Sequence, residues 1–143
     1  MSNIVVSMSL RKGISAIVIM EDGIIKVKYV ERIKDEHALS SNYAGIIYTF
    51  KLALRHVRQY MQTVDVKDVC FETSNSTFIK WVDAQYSKEA YQKDFDEALT
   101  LLHELPIRYA FTYAEKPKAF LFTDSSYLKK ESVSGLNLDE YTE

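Results

Sequence analysis

The sequence predicts one mixed α/β domain, in which a single sheet carries helices on both faces. Three observations indicate this fold class. The first third of the chain contains three apolar, β-branched segments separated by short turns, as in an antiparallel meander. Amphipathic helical segments then alternate with two further apolar strands, the first of which can lie parallel to a strand of the meander. This order favours a mixed sheet with helices packed against it.

Each element of this order has its own local signal. The Asp22-Gly23 pair predicts a tight hairpin turn, because both residues tolerate positive φ. A long helix is predicted after the capping candidates Ser40, Ser41 and Asn42, because apolar residues then recur every three or four positions. Ser74 or Asn75 is expected to cap a shorter helix. The predicted strands cover residues 3–10, 14–20, 25–33, 69–71 and 107–113, and the predicted helices cover residues 43–61, 77–83, 91–102 and 119–130.

The composition bounds the class of protein. With 143 residues, 47% of them apolar, and the single cysteine Cys70, the chain is expected to form one globular domain without an intramolecular disulfide. No apolar run reaches the roughly 20 residues that span a bilayer, and the N-terminus lacks a signal pattern. A soluble, cytoplasmic protein is therefore expected. The domain is assigned to residues 1–131, and the acidic residues 132–143 are expected to form a flexible tail.

Several local stretches together resemble one known fold. The apolar hairpin at residues 3–20 comes first. It is followed by SNYAGI at residues 41–46, FETSNSTFIK at residues 71–80, IRYAF at residues 107–111 and FTDS at residues 122–125. In this order and spacing they resemble the ribonuclease H-like fold. The resemblance implies either a nuclease that holds two Mg²⁺ ions between carboxylates, or one of the inert modules built on the same fold.

The positions that match the family's carboxylates hold other residues in this chain. On the first strand the matching residue is Ser7 or Ser9, and no acidic residue lies between Met1 and Met20. At the start of the long helix the matching residue is Ala44, and at the end of the next strand it is Thr73. Three of the four carboxylates that the resemblance implies are therefore replaced.

Glu72 and Asp124 are the only candidate carboxylates that remain. Glu72 adjoins Thr73, but neighbouring strand residues point to opposite faces, so Glu72 is not expected to replace it. Because Mg²⁺ needs mostly anionic oxygen ligands, we predict no catalytic residue and no metal cofactor. The alternative is a metal-dependent nuclease in which Glu72 and Asp124 hold Mg²⁺ in a rearranged site.

Binding is the function that remains. A nearly neutral body, an acidic tail and ten tyrosines favour a protein partner or self-association over nucleic acid. The tyrosines considered for such a surface are Tyr86, Tyr91, Tyr109, Tyr113 and Tyr127. We therefore predict a non-catalytic ribonuclease H-like module that acts through protein binding, in the manner of a viral accessory protein.

The second hypothesis is a nucleic-acid-binding module with a degenerate active site. Such a module needs its basic residues on one surface, because phosphate contacts require clustered positive charge. The opening strands and the long helix supply the candidates, which are Arg11, Lys12, Lys26, Lys28, Arg55 and Arg58. Tyr29 and Tyr48 are nearby aromatic residues on which bases could stack. The competing explanation is a solvated charged face without a ligand.

Overall fold

The structure is a computed structural model and describes residues 2–123. Its five strands are β1 (Ser2–Arg11), β2 (Ile14–Glu21), β3 (Ile24–Arg32), β4 (Val66–Thr73) and β5 (Arg108–Tyr113). Its α-helices are α1 (Glu36–Leu39), α2 (Asn42–Tyr60), α3 (Ser76–Ala84) and α4 (Gln92–His103). Two 3₁₀ helices cover Glu89–Tyr91 and Lys118–Phe122. The predicted mixed α/β class is confirmed.

All five strands form one sheet in the order β3-β2-β1-β4-β5. Strands β1, β2 and β3 make the predicted antiparallel meander. Strands β4 and β5 then extend the sheet parallel to β1, as two crossovers through helices require. The C-terminal ends of β1 and β4 consequently meet at one edge of the sheet, close to the residues at which α2 and α3 begin.

Both hairpin turns depend on residues with positive φ. Lys12 and Gly13 have φ values of 50° and 78°, and Asp22 and Gly23 have φ values of 54° and 76°. Two consecutive residues in the left-handed region define the turn whose twist matches that of the flanking strands. The prediction for Asp22-Gly23 is confirmed, and Lys12-Gly13 makes the same turn between β1 and β2.

The main core lies between the sheet and helices α2, α3 and α4. From β1 it takes the even-numbered residues, including Val6 and Met8, because alternate strand residues share a face. Phe50 of α2 is completely buried at its centre. Its ring centroid lies 5.4, 5.2 and 5.5 Å from those of Phe71, Phe78 and Phe111. We call this side of the sheet the helical face.

The opposite side of the sheet is covered by the 3₁₀ helix Lys118–Phe122. Ala119 and Phe122 pack against Ile14, Ala16 and Val18 of the first hairpin. This smaller cluster covers β1 and β2. We call this side of the sheet the 3₁₀ face.

Strand β4 and helix α1 differ from the prediction, and the 3₁₀ helix Glu89–Tyr91 was not predicted. Strand β4 begins at Val66 rather than at residue 69, because Val66 and Asp68 already pair with Ser2 and Asn3 of β1. Helix α1 was not predicted, since its four residues are too few for a periodic pattern. Its N-cap Asp35 accepts a hydrogen bond from the Ala38 N–H at 3.1 Å.

The end of the chain was predicted as a helix over residues 119–130. The structure has the 3₁₀ helix Lys118–Phe122 at its start. Residues 124–143 lie outside the described residues, and with them Asp124, Tyr127 and the predicted tail. The assignment of residues 1–131 to one domain thus remains a proposal.

Candidate functional site

Ser7 and Glu72 lie side by side on the 3₁₀ face. They are partners in the parallel register of β1 and β4. The Ser7 hydroxyl donates to Glu72 Oε1 at 3.1 Å, and the same carboxylate oxygen accepts from the Lys118 N–H at 2.9 Å. Ser7 Oγ also accepts from the Ala119 N–H at 2.8 Å. Glu72 and Ser7 therefore hold the first two residues of the 3₁₀ helix against the sheet.

Ser9 lies on the same face, two residues further along β1. Its hydroxyl is buried and lies 3.2 Å from that of Thr123, which is the last described residue. This contact brings the chain back to the 3₁₀ face immediately before Asp124. Ser7 and Ser9, the two candidates matched to the family's first carboxylate, thus bind residues 118–123 to the sheet.

Thr73 follows Glu72 but points to the helical face. It is buried, and its hydroxyl accepts from the Asn75 N–H at 3.2 Å, which shapes the turn into α3. The expectation that Glu72 and Thr73 point to opposite faces is confirmed. Because they do, Glu72 cannot supply a carboxylate at the position of Thr73.

Thr73 lines a cleft of about 620 Å³ at the C-terminal ends of β1 and β4. We call it the strand-end cleft. Its walls combine hydroxyl, amide, aromatic and aliphatic side chains. The described residues that line it are Leu10, Ser41, Asn42, Tyr43, Ile46, Thr73, Ser74, Asn75, Ser76, Thr77 and Tyr91. None of them is acidic, so this donor set does not fit Mg²⁺, which prefers anionic oxygen ligands.

Two helices begin at this cleft. The Ser41 hydroxyl caps α2 by accepting from the Ala44 N–H at 3.1 Å. The Asn75 side chain caps α3 by accepting from the Phe78 N–H at 2.9 Å, which decides between the two predicted caps. Neither helix has an acidic residue in its first turn. The positive ends of both helix dipoles are therefore not neutralised by carboxylates of those turns.

An aromatic wall closes one side of the cleft. The Tyr43 ring centroid lies 5.0 Å from that of Trp81 and 5.7 Å from that of Tyr91. The Lys88 ammonium lies 5.3 Å from the centre of the Tyr43 ring. The cleft thus combines polar donors, flat rings and one nearby positive charge. Asn42, Ser74 and Ser76 at its rim are exposed to solvent.

Ala44 does not line this cleft. It is buried beside α1 and lines a separate cavity of about 110 Å³. His37 and Asp94, which lie 2.5 Å apart, belong to the same small cavity. The three positions matched to the family's carboxylates therefore do not meet: Ser7 lies on the 3₁₀ face, and Thr73 and Ala44 line different cavities. Within residues 2–123, no three His, Cys, Asp or Glu side chains are grouped as a metal site requires.

The six basic candidates do not share one surface. Arg11 and Lys28 lie on the 3₁₀ face, 5.2 Å from the Phe120 ring centre and 4.7 Å from the Phe122 ring centre. Arg55 and Arg58 line a cavity of about 300 Å³ between α2 and α4, on the helical side. Lys12 is at the tip of the first hairpin. The charge of Lys26 helps to lower the pKa of Glu21, after the hydrogen bonds from Tyr60 and Ser2.

Sequence reasoning missed Lys116 as a member of the group on the 3₁₀ face. Its ammonium lies 5.9 Å from the Phe120 ring centre, which Arg11 also approaches. The signal was present in the basic residues around Pro117, but only the folded chain brings them next to the first hairpin.

The perturbed ionisable groups lie away from the strand-end cleft. Burial and a hydrogen bond to Glu21 raise the pKa of Tyr60 to about 12. Burial and a hydrogen bond to Glu31 likewise raise the pKa of Tyr48 to about 12. Hydrogen bonds from Tyr60 and Ser2 lower the pKa of Glu21. These groups stabilise the ends and edge of the helical layer, so the pKa shifts do not indicate chemistry in the cleft.

Tyr86, Tyr109 and Tyr113 are exposed, by 62%, 37% and 55%. Tyr91 instead packs on Trp81 at a centroid distance of 6.0 Å. Three of the tyrosines considered for a binding surface are thus accessible.

Within the described residues, no helix is long and apolar enough to cross a membrane.

The sheet order and its crossovers are those of the ribonuclease H-like fold, and comparison with solved structures shows this fold directly. The crystal structure of LC11-RNase H1 in complex with an RNA/DNA hybrid is 13% identical and has a TM-score of 0.65, with 92% of this chain and 99% of that chain covered. RNase H1 from the halophilic archaeon Halobacterium salinarum is 12% identical and has a TM-score of 0.59, with 86% and 98% covered.

These similarities concern the fold alone, since both identities are far below those that carry function. No protein-family model matches the sequence. No curated protein matches it either. The predicted ribonuclease H-like fold is confirmed.

Proposed function

We propose that this protein is a non-catalytic ribonuclease H-like module that binds nucleic acid in the strand-end cleft. The observation that carries the proposal is the chemistry of this cleft: no described residue that lines it is acidic, and two helix N-termini open into it. Helix N-termini and side-chain hydroxyl and amide groups are suited to phosphate oxygens. Carboxylates at the same place would repel them.

The aromatic wall supports the same ligand. Tyr43 and Tyr91 line the cleft, and bases or sugars stack on such rings without a sequence preference. Lys88 adds a positive charge beside Tyr43. A structure with the same fold, LC11-RNase H1, was determined in complex with an RNA/DNA hybrid. A hybrid duplex is therefore the first ligand to test, beside single-stranded RNA and DNA.

The position of Glu72 supports a module without catalysis. This carboxylate is turned away from the cleft and accepts hydrogen bonds from Ser7 and Lys118. A metal held in the cleft would need anionic ligands that the described lining residues do not offer. The scaffold is thus proposed to keep its binding cleft without its metal chemistry.

The test is fluorescence anisotropy with labelled hybrid and single strands at several salt concentrations. Asn42→Glu/Ser76→Glu places two acids in the first turns of α2 and α3, where they favour the helices but repel phosphate. We expect binding to weaken about tenfold or more, or about 1.4 kcal/mol. Gln59→Glu/Gln62→Glu makes the same change in charge at the far end of α2 and should bind as the wild type does. Equal affinity of all three proteins would contradict the proposal.

A rearranged nuclease is the second candidate, because one contact favours it. Thr123 touches Ser9 on the face that also carries Glu72, so the chain reaches this face one residue before Asp124. The test is titration with Mg²⁺ and Mn²⁺ followed by NMR. A saturable shift at Glu72 that disappears in Asp124→Asn would support this candidate over the non-catalytic module.

A further inference from the structure

Strand β5 is one of the two edges of the sheet. Within residues 2–123, its backbone pairs with β4 alone. Five of its six residues are exposed, and only Phe111 is partly covered. An edge strand presents unpaired N–H and C=O groups in a row, and these pair readily with another extended chain.

The other edge, β3, is protected in the ways that natural sheets use. It carries Lys26, Lys28, Glu31 and Arg32, and the register of its pairing with β2 shifts between Ile19 and Met20. Charged residues and irregular pairing both discourage contact between edges. The β3 edge is therefore protected against pairing with another strand.

β5 has neither protection. Its pairing with β4 is regular from Asp68–Arg108 to Thr73–Tyr113. Its single charged residue, Arg108, is neutralised within the chain, because its guanidinium donates two hydrogen bonds to Asp68 at 2.7 and 3.0 Å. Tyr109 to Tyr113 carry no charge at all. Among residues 2–123 nothing pairs with this edge, which is regular and uncharged from Tyr109 to Tyr113.

The sequence of β5 is also complementary to itself. If two copies pair antiparallel about a two-fold axis at Phe111, Tyr109 of one copy faces Tyr113 of the other, and Ala110 faces Thr112. Aromatic residues then meet aromatic residues on one face, and small residues meet on the other, as favourable cross-strand pairs require. Neither of these two pairs places like charges opposite each other.

We propose that the protein forms a two-fold symmetric dimer through β5, which joins two sheets into one of ten strands. The occupant of the edge is a second copy of this chain because the strand is self-complementary about Phe111. The exposed Tyr109 and Tyr113 lie in the contact and lose their exposure there. This inference is independent of the proposed cleft function, since the strand-end cleft is lined by no residue of β5.

The test measures the mass of the full chain by sedimentation up to about 100 μM, where a micromolar dimer is populated. Ala110→Lys/Thr112→Lys sets lysines opposite each other twice in the proposed register. It should raise the dimer dissociation constant at least tenfold. Ala110→Lys/Thr112→Glu sets a lysine opposite a glutamate in the same register and should keep or strengthen the dimer. Gln59→Lys/Gln62→Lys is the control for added charge.

The paired variants separate the register from a general effect of charge. Loss of the dimer in the lysine pair with retention in the lysine–glutamate pair supports the two-fold contact at Phe111. Equal dimerisation of every variant would overturn it, as would a monomer at all concentrations. A monomer in which the β5 amides resist hydrogen exchange would show instead that the C-terminal segment covers this edge, which also overturns the proposal.

Discussion

The two faces of the sheet are covered in different ways, and the difference explains the position of Glu72. The helical face carries α2, α3 and α4 on a deep aromatic core centred on Phe50. The 3₁₀ face carries a short 3₁₀ helix on a small cluster and depends on polar contacts of Ser7, Ser9 and Glu72. Glu72, the acidic residue at the end of β4, thus binds the 3₁₀ helix to the sheet. None of the described residues that line the strand-end cleft is acidic.

The largest effect is expected from the helical face. Phe50→Ala removes a completely buried ring that contacts three other phenylalanines. The free energy of unfolding should fall by about 3–5 kcal/mol, as for other buried phenylalanines. Urea denaturation measures it. Ile24→Ala, at a side chain that is 58% exposed, is the control and should change stability by about 0.5 kcal/mol or less.

A smaller effect is expected from the 3₁₀ face. Glu72→Ala leaves the Ser7 hydroxyl and the Lys118 N–H without their acceptor, which should cost about 1–2 kcal/mol. Glu72→Gln keeps a carbonyl oxygen as acceptor and should cost less. Hydrogen exchange at residues 118–122 should accelerate in the alanine variant while exchange in α2 stays unchanged. Equal acceleration on both faces would show that Glu72 does not act on the 3₁₀ face alone.

Alkaline pH should lower the stability of the protein through Tyr60 on the helical face. The pKa of Tyr60 is about 12 in the folded protein against an ordinary 10.0, so the neutral tyrosine is favoured by folding. Its contribution is complete below pH 10 and is lost as the pH rises through about 12. Stability should therefore decline over this window, and the decline should be shallower in Tyr60→Phe. An identical decline in both proteins would contradict the assignment.

Acidic pH should lower the stability through Glu21, the hydrogen-bond partner of Tyr60. The lowered pKa of Glu21 means that the folded protein favours the carboxylate. Its contribution is complete above the ordinary value of 4.5 and is lost as the pH falls through the lower folded pKa. Glu21→Gln should show a weaker loss of stability in acid than the wild type. Thermal unfolding between neutral and acidic pH measures the difference.

The smallest effect is expected from Asp68 and Arg108. Their hydrogen bonds lower the pKa of Asp68 and raise that of Arg108, but both groups are open to water. Surface ion pairs contribute little at physiological salt. Asp68→Asn should leave the denaturation midpoint nearly unchanged at 0.15 M salt. A large shift would mean that this edge of the 3₁₀ face contributes more to stability than its exposure indicates.

Sequence patterns predicted the layers of the fold because the layers follow local rules. Apolar, β-branched runs and alternation identified β1 to β3, and three- and four-residue spacing identified α2 and α4. The polar turn after β4 left Ser74 and Asn75 as candidate caps, and the structure shows that Asn75 is the cap. The short helix α1 and the true start of β4 were missed. Helix α1 depends on the side chain of its cap, Asp35. The start of β4 depends on pairing with Ser2 and Asn3 of β1, which only the folded chain brings together.

The site was harder to predict than the fold. The match to the family's carboxylates placed Ser7, Ala44 and Thr73 at one site, whereas the structure puts them on two faces and in separate cavities. A shift of one residue in a strand changes the face to which a side chain points. Pattern matching at this level of similarity does not fix such a register. The roles of Ser7 and Glu72 at the 3₁₀ helix required contacts between residues 46 to 112 positions apart.

The non-catalytic role is tested most directly by cleavage of an RNA/DNA hybrid. The purified full chain is incubated with labelled hybrid and either Mg²⁺ or Mn²⁺, beside Asp124→Asn and Glu72→Gln purified in the same way. A non-catalytic module should show no cleavage above the background shared by all three proteins. Metal-dependent cleavage by the wild type that disappears in both variants would contradict it and would make this protein a nuclease with a rearranged site.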